Sequence, residues 1–440
     1  MTMAEDVTEG YKMTEMGLLP EEWGVLNLSN DYIEFKNGLW KGKKEPFIKV
    51  RVLRNTNFNN DGTLKLDDVA ELAVEEKQFE TRNIVEDDII LERSGGGPTQ
   101  PVGRVVFFNI KDDLNYSFSN FTSRIRITNK NKINPKYIFY FLLEFYISGK
   151  TNDIQNRTTG IRNLDFSKYK QILISLPPLH EQRKIAFVLS AVQEAKEKTE
   201  NVLSALKELK KSMMKHLFTY GPVSLEEAEK VPLKETEVGM IPEHWEVFPV
   251  GSICRCIVPG RDKPKRFDGD IPWITFPDVR DKIYVEKSLA GFGLSNDAIS
   301  QVRARIIPPN SVLMSCVGEF GITVITKKEL VVNQQFHAFI CPQNVNSYFL
   351  AHSLRMQKEY MEKIAHFTTI AYLSKDKCNS VPVPLPSIKE QIQIVELLSS
   401  LDNKIETEEN KKQALESLFK TLLSLLMTGR IRVKDLEIPA

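Results

Sequence analysis

The residues with most potential for chemistry are five cysteines, Cys254, Cys256, Cys316, Cys341 and Cys378, with His337 among them. Cys254-x-Cys256 and His337-x-x-x-Cys341 offer soft zinc ligands, but neither spacing is that of a finger or ribbon. Buried, reduced thiols are the expected reading. No Gly-x-x-x-x-Gly-Lys-Ser/Thr phosphate loop occurs, so the chain is not expected to hydrolyse ATP. Gly291-Phe292-Gly293 reads as a turn. Asn134-Pro135-Lys136-Tyr137 lacks the second proline of an amino-methyltransferase loop and reads as a helix start. Pro277-Asp278 opens like a nuclease motif but has no acidic-x-Lys partner after it. The 6 histidines are scattered away from any acid–nucleophile set. The sequence therefore nominates no catalytic residue and no metal ligand.

Binding chemistry is easier to find. Lys41, Lys43 and Lys44 follow Trp40, and Arg93 and Ser94 precede Gly95-Gly96-Gly97. Arg157, Thr158 and Arg162 surround Gly160. Later come Arg261, Lys263, Lys265 and Arg266, then Thr369 and Tyr372 in the polar run from His366. Lysine and arginine neutralise phosphates, and arginine, asparagine, serine and threonine can read base edges. Glycine lets a loop approach a backbone closely. Each cluster taken alone also fits a solvated loop. Thr158-Thr159 and Thr368-Thr369, at like positions in two halves of the chain, favour a shared task.

The whole chain is not strongly basic. Its 440 residues carry a formal net charge of +1, with 42% hydrophobic and 27% charged residues. That is an ordinary globular mix, which argues against wholesale disorder. No run approaches the ~18 apolar residues of a membrane span, and the acidic Met1 to Lys12 segment lacks the apolar stretch of a secretory signal. An odd cysteine count without framework spacing suggests a reducing, cytoplasmic setting.

An internal repeat must position the binding clusters. Thr14-Glu15-Met16-Gly17-Leu18-Leu19-Pro20-Glu21-Glu22-Trp23 returns as Thr236-Glu237-Val238-Gly239-Met240-Ile241-Pro242-Glu243-His244-Trp245. Leu176-Pro177-Pro178-Leu179-His180-Glu181-Gln182 returns as Leu385-Pro386-Ser387-Ile388-Lys389-Glu390-Gln391. Two matched blocks in the same order make two copies of one unit: a constant lead-in, a variable globular segment and a constant helix. Each globular segment reads as mixed strand and helix. Pro46–Val50, Asp88–Leu91 and Gly103–Phe108 are predicted strands, with a helix over Tyr137–Tyr146. In the second copy Ile271–Ile274 and Ser311–Ser315 are predicted strands, with a helix over Tyr348–Met361.

Each repeat ends in a helical pattern of about 40 residues, roughly 60 Å long. In the first, Ile185, Val188, Val192, Ala195, Thr199, Val202, Leu206, Leu209 and Met213 step by three and four, a heptad seam. In the second, Ile394, Leu397, Leu401, Leu415, Leu418, Leu422 and Leu425 keep the pattern at both ends, around the polar Lys404, Glu408 and Lys411. Residues 181–218 hold eight Lys/Arg and five Asp/Glu, whereas residues 390–427 hold four and seven. Opposite charge on equal lengths predicts that the two helices pair, and an antiparallel pair would put one globular segment at each end, with the helix length setting the distance between them like a ruler. Trp23 and Trp245 are expected as core anchors. Glu181, Gln182, Glu390 and Gln391 are either first-turn groups favoured by the helix dipole or contacts to a partner.

The Gly-x-x-Pro-x-x-Trp lead-in, the Ile271-Pro272-Trp273-Ile274 strand and the Leu-Pro-Pro-Leu-x-Glu-Gln block resemble the specificity subunit of type I restriction-modification enzymes. The likeness runs from about Thr14 to Arg430. Pro46–Val50 stands where Ile-Pro-Trp-Ile is usual, and the Gly95-Gly96-Gly97 run is another departure. The resemblance implies an α+β fold: two similar mixed α/β target recognition domains joined by two long antiparallel coiled-coil helices, pseudo-twofold from the internal repeat. It implies a constant segment at 1–23, recognition domains at 24–176 and 247–384, conserved helices at 177–220 and 385–428, a linker at 221–246 and a tail at 429–440. Each domain would read one half of a bipartite, asymmetric site in double-stranded DNA. The helices would dock two methyltransferase (modification) subunits, with Glu181, Gln182, Glu390 and Gln391 as contacts, and restriction subunits would join that core. S-adenosylmethionine, ATP and Mg would belong to those partners, with no cofactor in this chain. A non-DNA coiled-coil scaffold with two protein-interaction modules is the competing reading.

Overall fold

The computed structural model describes residues 9–40, 44–97, 100–157, 161–260, 262–280, 282–366 and 370–438. Lys41, Lys43, Thr158, Arg261 and Thr369 lie outside them. The chain forms two compact units that cut across its linear order: residues 1–200 with 410–440, and residues 201–409.

The first unit opens with a hairpin, Tyr11–Thr14 against Gly17–Pro20. Gly17 turns it at a φ of 94°, a conformation open to glycine. Trp23 is fully buried, and Gly24–Asn27 then pairs antiparallel with Leu173–Leu176, the strand that feeds the first long helix. Between these ends lie a four-stranded antiparallel sheet (Ile33–Asn37, Thr122–Ile127, Ile89–Glu92, Val105–Phe107) and a three-stranded sheet centred on Phe47–Leu53. Phe47–Leu53 has one parallel neighbour, Tyr116–Phe118, and one antiparallel neighbour, Ala70–Glu75. The Pro135–Ile147 helix starts as its sequence suggests, with Pro135 in the first turn and the Asn134 side chain accepting from the Tyr137 N–H. It is buried nearly all round, so its apolar run carries no clear stripe.

The second unit repeats the plan. Leu233–Thr236 and Gly239–Pro242 form the hairpin, Trp245 is fully buried, and Glu246–Pro249 pairs with Pro382–Leu385. Ile271–Ile274 again has one antiparallel and one parallel neighbour, Gly293–Leu294 and Val331–Val332. A five-stranded sheet carries Ser311–Ser315 at its centre. The helix expected over Tyr348–Met361 divides into Ser347–Met356 and Lys358–Ile364, because Gln357 leaves helical geometry at ψ 18°.

The long helices are Leu179–Tyr220 and Ile388–Met427, 42 and 40 residues. Each unit contains a stretch of both, packed together. In the first unit Glu200 pairs with Lys412 at 2.9 Å, while Glu181 meets Arg432 just beyond the other helix. In the second, Lys207 pairs with Glu409 at 2.8 Å and Lys210 with Asp402. The two stretches in each unit therefore run antiparallel.

The buried seam keeps the expected period and the expected Ile185, Val192, Thr199, Leu206 and Met213, but its alternate positions shift by one residue. It runs Ile185, Leu189, Val192, Lys196, Thr199, Leu203, Leu206, Lys210, Met213 and Leu217, of which Ile185, Leu189, Lys196, Thr199, Leu203 and Leu217 are buried. The expected seam residues Val202, Leu209, Leu397 and Leu418 are 44–48% exposed, and Leu398 and Phe419 are buried instead. The reason is polar. Lys196 and Lys210 sit on the seam and reach Asp61 and Asp402, so a count of apolar residues slides to the neighbouring face.

Candidate nucleic-acid interface

Two of the expected basic clusters of the first unit, distant in sequence, come together on one small sheet. Gln155–Arg157 pairs with Arg162–Leu164, which pairs with Ser94–Gly96. The Arg93 and Ser94 N–H groups both donate to the Phe121 carbonyl, at 2.9 and 3.2 Å. Gly95 has a φ of 102°, and a Cβ on Gly96 would stand 2.7 Å from the Gln100 carbonyl oxygen, so neither position admits a larger residue without displacement. The Ser94 hydroxyl donates to Asn163 Oδ1.

Arg93 is the best-defined cation here. Its guanidinium lies 4.3 Å over the Phe166 ring and donates from Nη1 to Asn37 Oδ1 at 2.6 Å. Its Nε has no acceptor among the described residues. Burial lowers its pKa from the usual arginine value, yet arginine stays charged at neutral pH. Lys170 approaches the same Phe166 ring at 4.8 Å. Asn37, Phe166 and Lys170 were not singled out in the sequence; the one signal was Phe166-Ser167-Lys168-Tyr169-Lys170 directly after the Arg162 strand. Lys44 is exposed on a separate segment, its N–H donating to Glu75 Oε1.

The second unit holds a matching hairpin with different chemistry. His366 and Tyr372 exchange backbone hydrogen bonds at 2.9 and 3.0 Å, and their rings stand 5.2 Å apart. Tyr372 bridges to Val317, as Arg162–Leu164 bridges to Ser94–Gly96. In both units a buried leucine follows, Leu164 or Leu373, whose N–H donates at 2.8 Å to the carbonyl of Arg93 or Cys316. Then come a capping Asp165 or Ser374, a short helix, and the strand into the long helix. Lys263, Lys265 and Arg266 are exposed on another loop, between Arg255–Ile257 and Ile271–Ile274.

Glu181, Gln182 and Gln391 are buried in the first turns of the long helices, and their polar atoms bond within the chain. Trp23 Nε1 donates to Glu181 Oε2 and Trp245 Nε1 to Glu390 Oε1, each at 3.0 Å. Gln182 accepts from the Asn134 N–H at 2.8 Å and donates to the carbonyls of Pro177 and Lys132. Gln391 does the same with Asn346, Pro386 and Asn344. The pair thus ties the lead-in tryptophan and the start of the domain helix to the start of the long helix. The copies differ in what closes them. Arg432 grips Glu181 through Nε and Nη2 at 2.6 and 2.8 Å, whereas Glu390 meets the exposed His244 at 2.8 Å. Burial would raise the Glu390 pKa, but bonds from His244, Trp245 and Ser387 hold it below the usual glutamate value.

Among the described residues, no group of three or more His, Cys, Asp and Glu is arranged to hold a metal ion, and no helix is long and apolar enough to cross a membrane.

The model of the type I restriction modification DNA specificity domain matches the chain twice, over residues 23–208 and 242–417. The specificity subunit of the type I restriction enzyme MjaVIII of Methanocaldococcus jannaschii is 26% identical over 452 residues, covering 98% of this chain and 97% of that protein. The HindI specificity subunit of Haemophilus influenzae is 21% identical, covering 75% and 84%. The crystal structure of a type I restriction-modification S subunit from M. genitalium aligns with a TM-score of 0.58 at 15% identity, over 92% of this chain and 96% of that one. This last likeness concerns the fold.

Proposed function

We propose how this chain reads DNA from one premise: it belongs to the type I restriction-modification DNA specificity family, whose domain it carries twice. It is the DNA specificity subunit of such a system, a non-catalytic component that assembles with the other subunits. In our reading each unit addresses one half of a split, asymmetric site in double-stranded DNA. The observation that carries this is the matched pair of hairpins, Gln155–Leu164 and His366–Tyr372, held by the same backbone contacts yet lined with different side chains. One scaffold with two chemistries suits two unlike half-sites. In the first, Arg93, Arg157 and Arg162 would meet phosphates or guanine edges, with Ser94 and Asn163 beside them. In the second, Tyr372 and the Lys263–Arg266 loop would contribute, as would Lys41, Lys43, Lys44, Thr158, Arg261 and Thr369.

The long helices present their own surface. Phe187 and Leu418 are exposed on the first unit, and Val202, Leu209, Ile392 and Leu397 on the second. Solvent-facing apolar residues along a helix suit a docked partner, and we assign the exposed helix residues of each unit to contacts with the two methyltransferase subunits, with restriction subunits joining them in the cytoplasm. S-adenosylmethionine, ATP and Mg would be held by those partners.

The test is equilibrium binding of the assembled methyltransferase complex to duplexes carrying its methylated motif, measured across salt concentration. Specific binding that weakens steeply with salt is expected. Absent or salt-insensitive binding would favour a non-DNA scaffold.

A further inference from the structure

All five cysteines fall on the second unit, and its topology gathers them. Arg255 lies opposite Ile340 in antiparallel register, which sets Cys254 across from Cys341. Side chains alternate along a strand, so Cys254, Cys256, His337 and Cys341 share one face of the five-stranded sheet. Met314 lies opposite His337, which brings Cys316 to that face too. The Lys375–Asn379 helix covers it with the fully buried Cys378. Cys316 and Cys378 also hold the base of the hairpin. The Leu373 N–H donates to the Cys316 carbonyl at 2.8 Å, and the Cys378 thiol donates to the Leu373 carbonyl at 3.9 Å. In the first unit the same backbone place belongs to Arg93, whose carbonyl receives the Leu164 N–H.

We infer that Cys316 and Cys378 form an oxidation-sensitive dithiol, which peroxide-class oxidants close into a disulfide beneath the hairpin of the second unit. Its effect on DNA rests on the function proposed above; its chemistry does not. Cys316 and Cys378 lie in one buried cluster on either side of Leu373, whose N–H donates to the Cys316 carbonyl and whose carbonyl accepts from the Cys378 thiol, while the Cys316 thiol donates to the Gln334 carbonyl at 3.5 Å. The neighbouring Cys378 thiol, opposed by burial and aided by His337, brings the Cys316 thiol down to about 6, while Cys378 is pushed up. Once it loses its proton, Cys316 is the attacking sulfur. It attacks one peroxide oxygen: an S–O bond forms, the O–O bond breaks, and hydroxide leaves to take up a proton as water. The Cys378 sulfur then displaces the hydroxyl of that sulfenic acid. An S–S bond forms, the S–O bond breaks, and a second water carries off the thiol proton. Two thiols are oxidised to one disulfide and one peroxide is reduced to two waters. Cys256 and Cys341 on the same face are only partly buried, so a small oxidant has a way in. Bonded sulfurs sit about 2 Å apart, far closer than hydrogen-bonded thiols. Closure must therefore draw the short helix and the strand end together and shift the hairpin they hold.

The full chain is treated with hydrogen peroxide, digested without reductant and analysed by mass spectrometry, and its complex is assayed for DNA binding in parallel. A peptide linking Cys316 to Cys378 is expected, with affinity reduced roughly tenfold, the size of one lost base-pair readout, and restored by dithiothreitol. Cys378→Ala and Cys316→Ala should abolish both effects. Absence of the linked peptide in the unsubstituted chain overturns the inference without needing either variant to fold. A linked peptide that forms and reverses while affinity stays constant upholds the dithiol and refutes the reading of the His366–Tyr372 hairpin as a DNA contact.

Discussion

Removing the same carboxylate from the two copies should have unequal cost. Glu181 is fully buried and accepts three hydrogen bonds, from Trp23 at 3.0 Å and from Arg432 at 2.6 and 2.8 Å. Glu181→Ala strands an indole N–H and a mostly covered guanidinium. Breaking a buried pair from one side costs about 3–5 kcal/mol. Arg432 keeps the exposed Glu22 as an acceptor, so the lower end, about 3 kcal/mol, is expected. Glu390 is 20% exposed and its histidine partner 64% exposed. Its loss removes the Trp245 bond and the Ser387 cap, about 1–2 kcal/mol together. Urea unfolding of each full-length variant, followed by tryptophan fluorescence, measures both. Glu181→Ala should lower stability by about 1–2 kcal/mol more than Glu390→Ala. Equal losses, or a greater loss at Glu390, would refute the assignment of Arg432 as the closing group of the first copy.

Burial holds the His352 imidazole neutral, with its pKa down at about 4 against the opposing pull of Asp402. Its contribution to stability is full above the unfolded value near 6.5 and is lost as pH falls towards 4. Burial would raise Asp402, but the His352 imidazole 3.7 Å away and bonds from Lys210 and Tyr348 hold it at about 2, so its share is present above the unfolded value and lost only below pH 4. Proton uptake on unfolding at pH 5 should therefore drop by close to one proton in His352→Gln, as read from the pH dependence of urea midpoints; an unchanged dependence would show that His352 is charged in the fold. Arg93→Ala should weaken DNA binding by the assembled complex and lower the salt slope by about 1 if it meets a phosphate, or relax one base position if it meets guanine; no effect on either would remove it from the interface. Gly96→Val, whose Cβ would meet the Gln100 carbonyl at 2.7 Å, should impair methylation through the first half-site, as read by methylation of motif-bearing plasmids.

The repeat, both long helices and both tryptophan anchors were legible because they depend on local pattern. Equivalent blocks of sequence became equivalent hairpins, lead-in strands and helix starts. The alternate positions of the helix seam were not legible, because Lys196 and Lys210 occupy core positions that only their distant partners Asp61 and Asp402 make tolerable. The bonding of the Glu-Gln pairs was not legible for the same reason: their acceptors and donors, such as Trp23, Asn134 and Arg432, lie far away in sequence. The meeting of Arg93 and Ser94 with Arg162 is a long-range strand pairing, as is the gathering of Cys254, Cys256, Cys316 and Cys341 on one sheet face. Clusters of basic residues mark candidate contacts; which of them share a surface is decided by sheet register.

The most direct measurement is a map of methylated adenines in cells carrying this chain and its methyltransferase partner, made with the intact chain and with residues 24–176 exchanged for those of a relative. The account predicts a split motif in which one half changes on exchange and the other stays fixed. A continuous motif, or a split one in which both halves change or neither does, would contradict two independent readers on one chain.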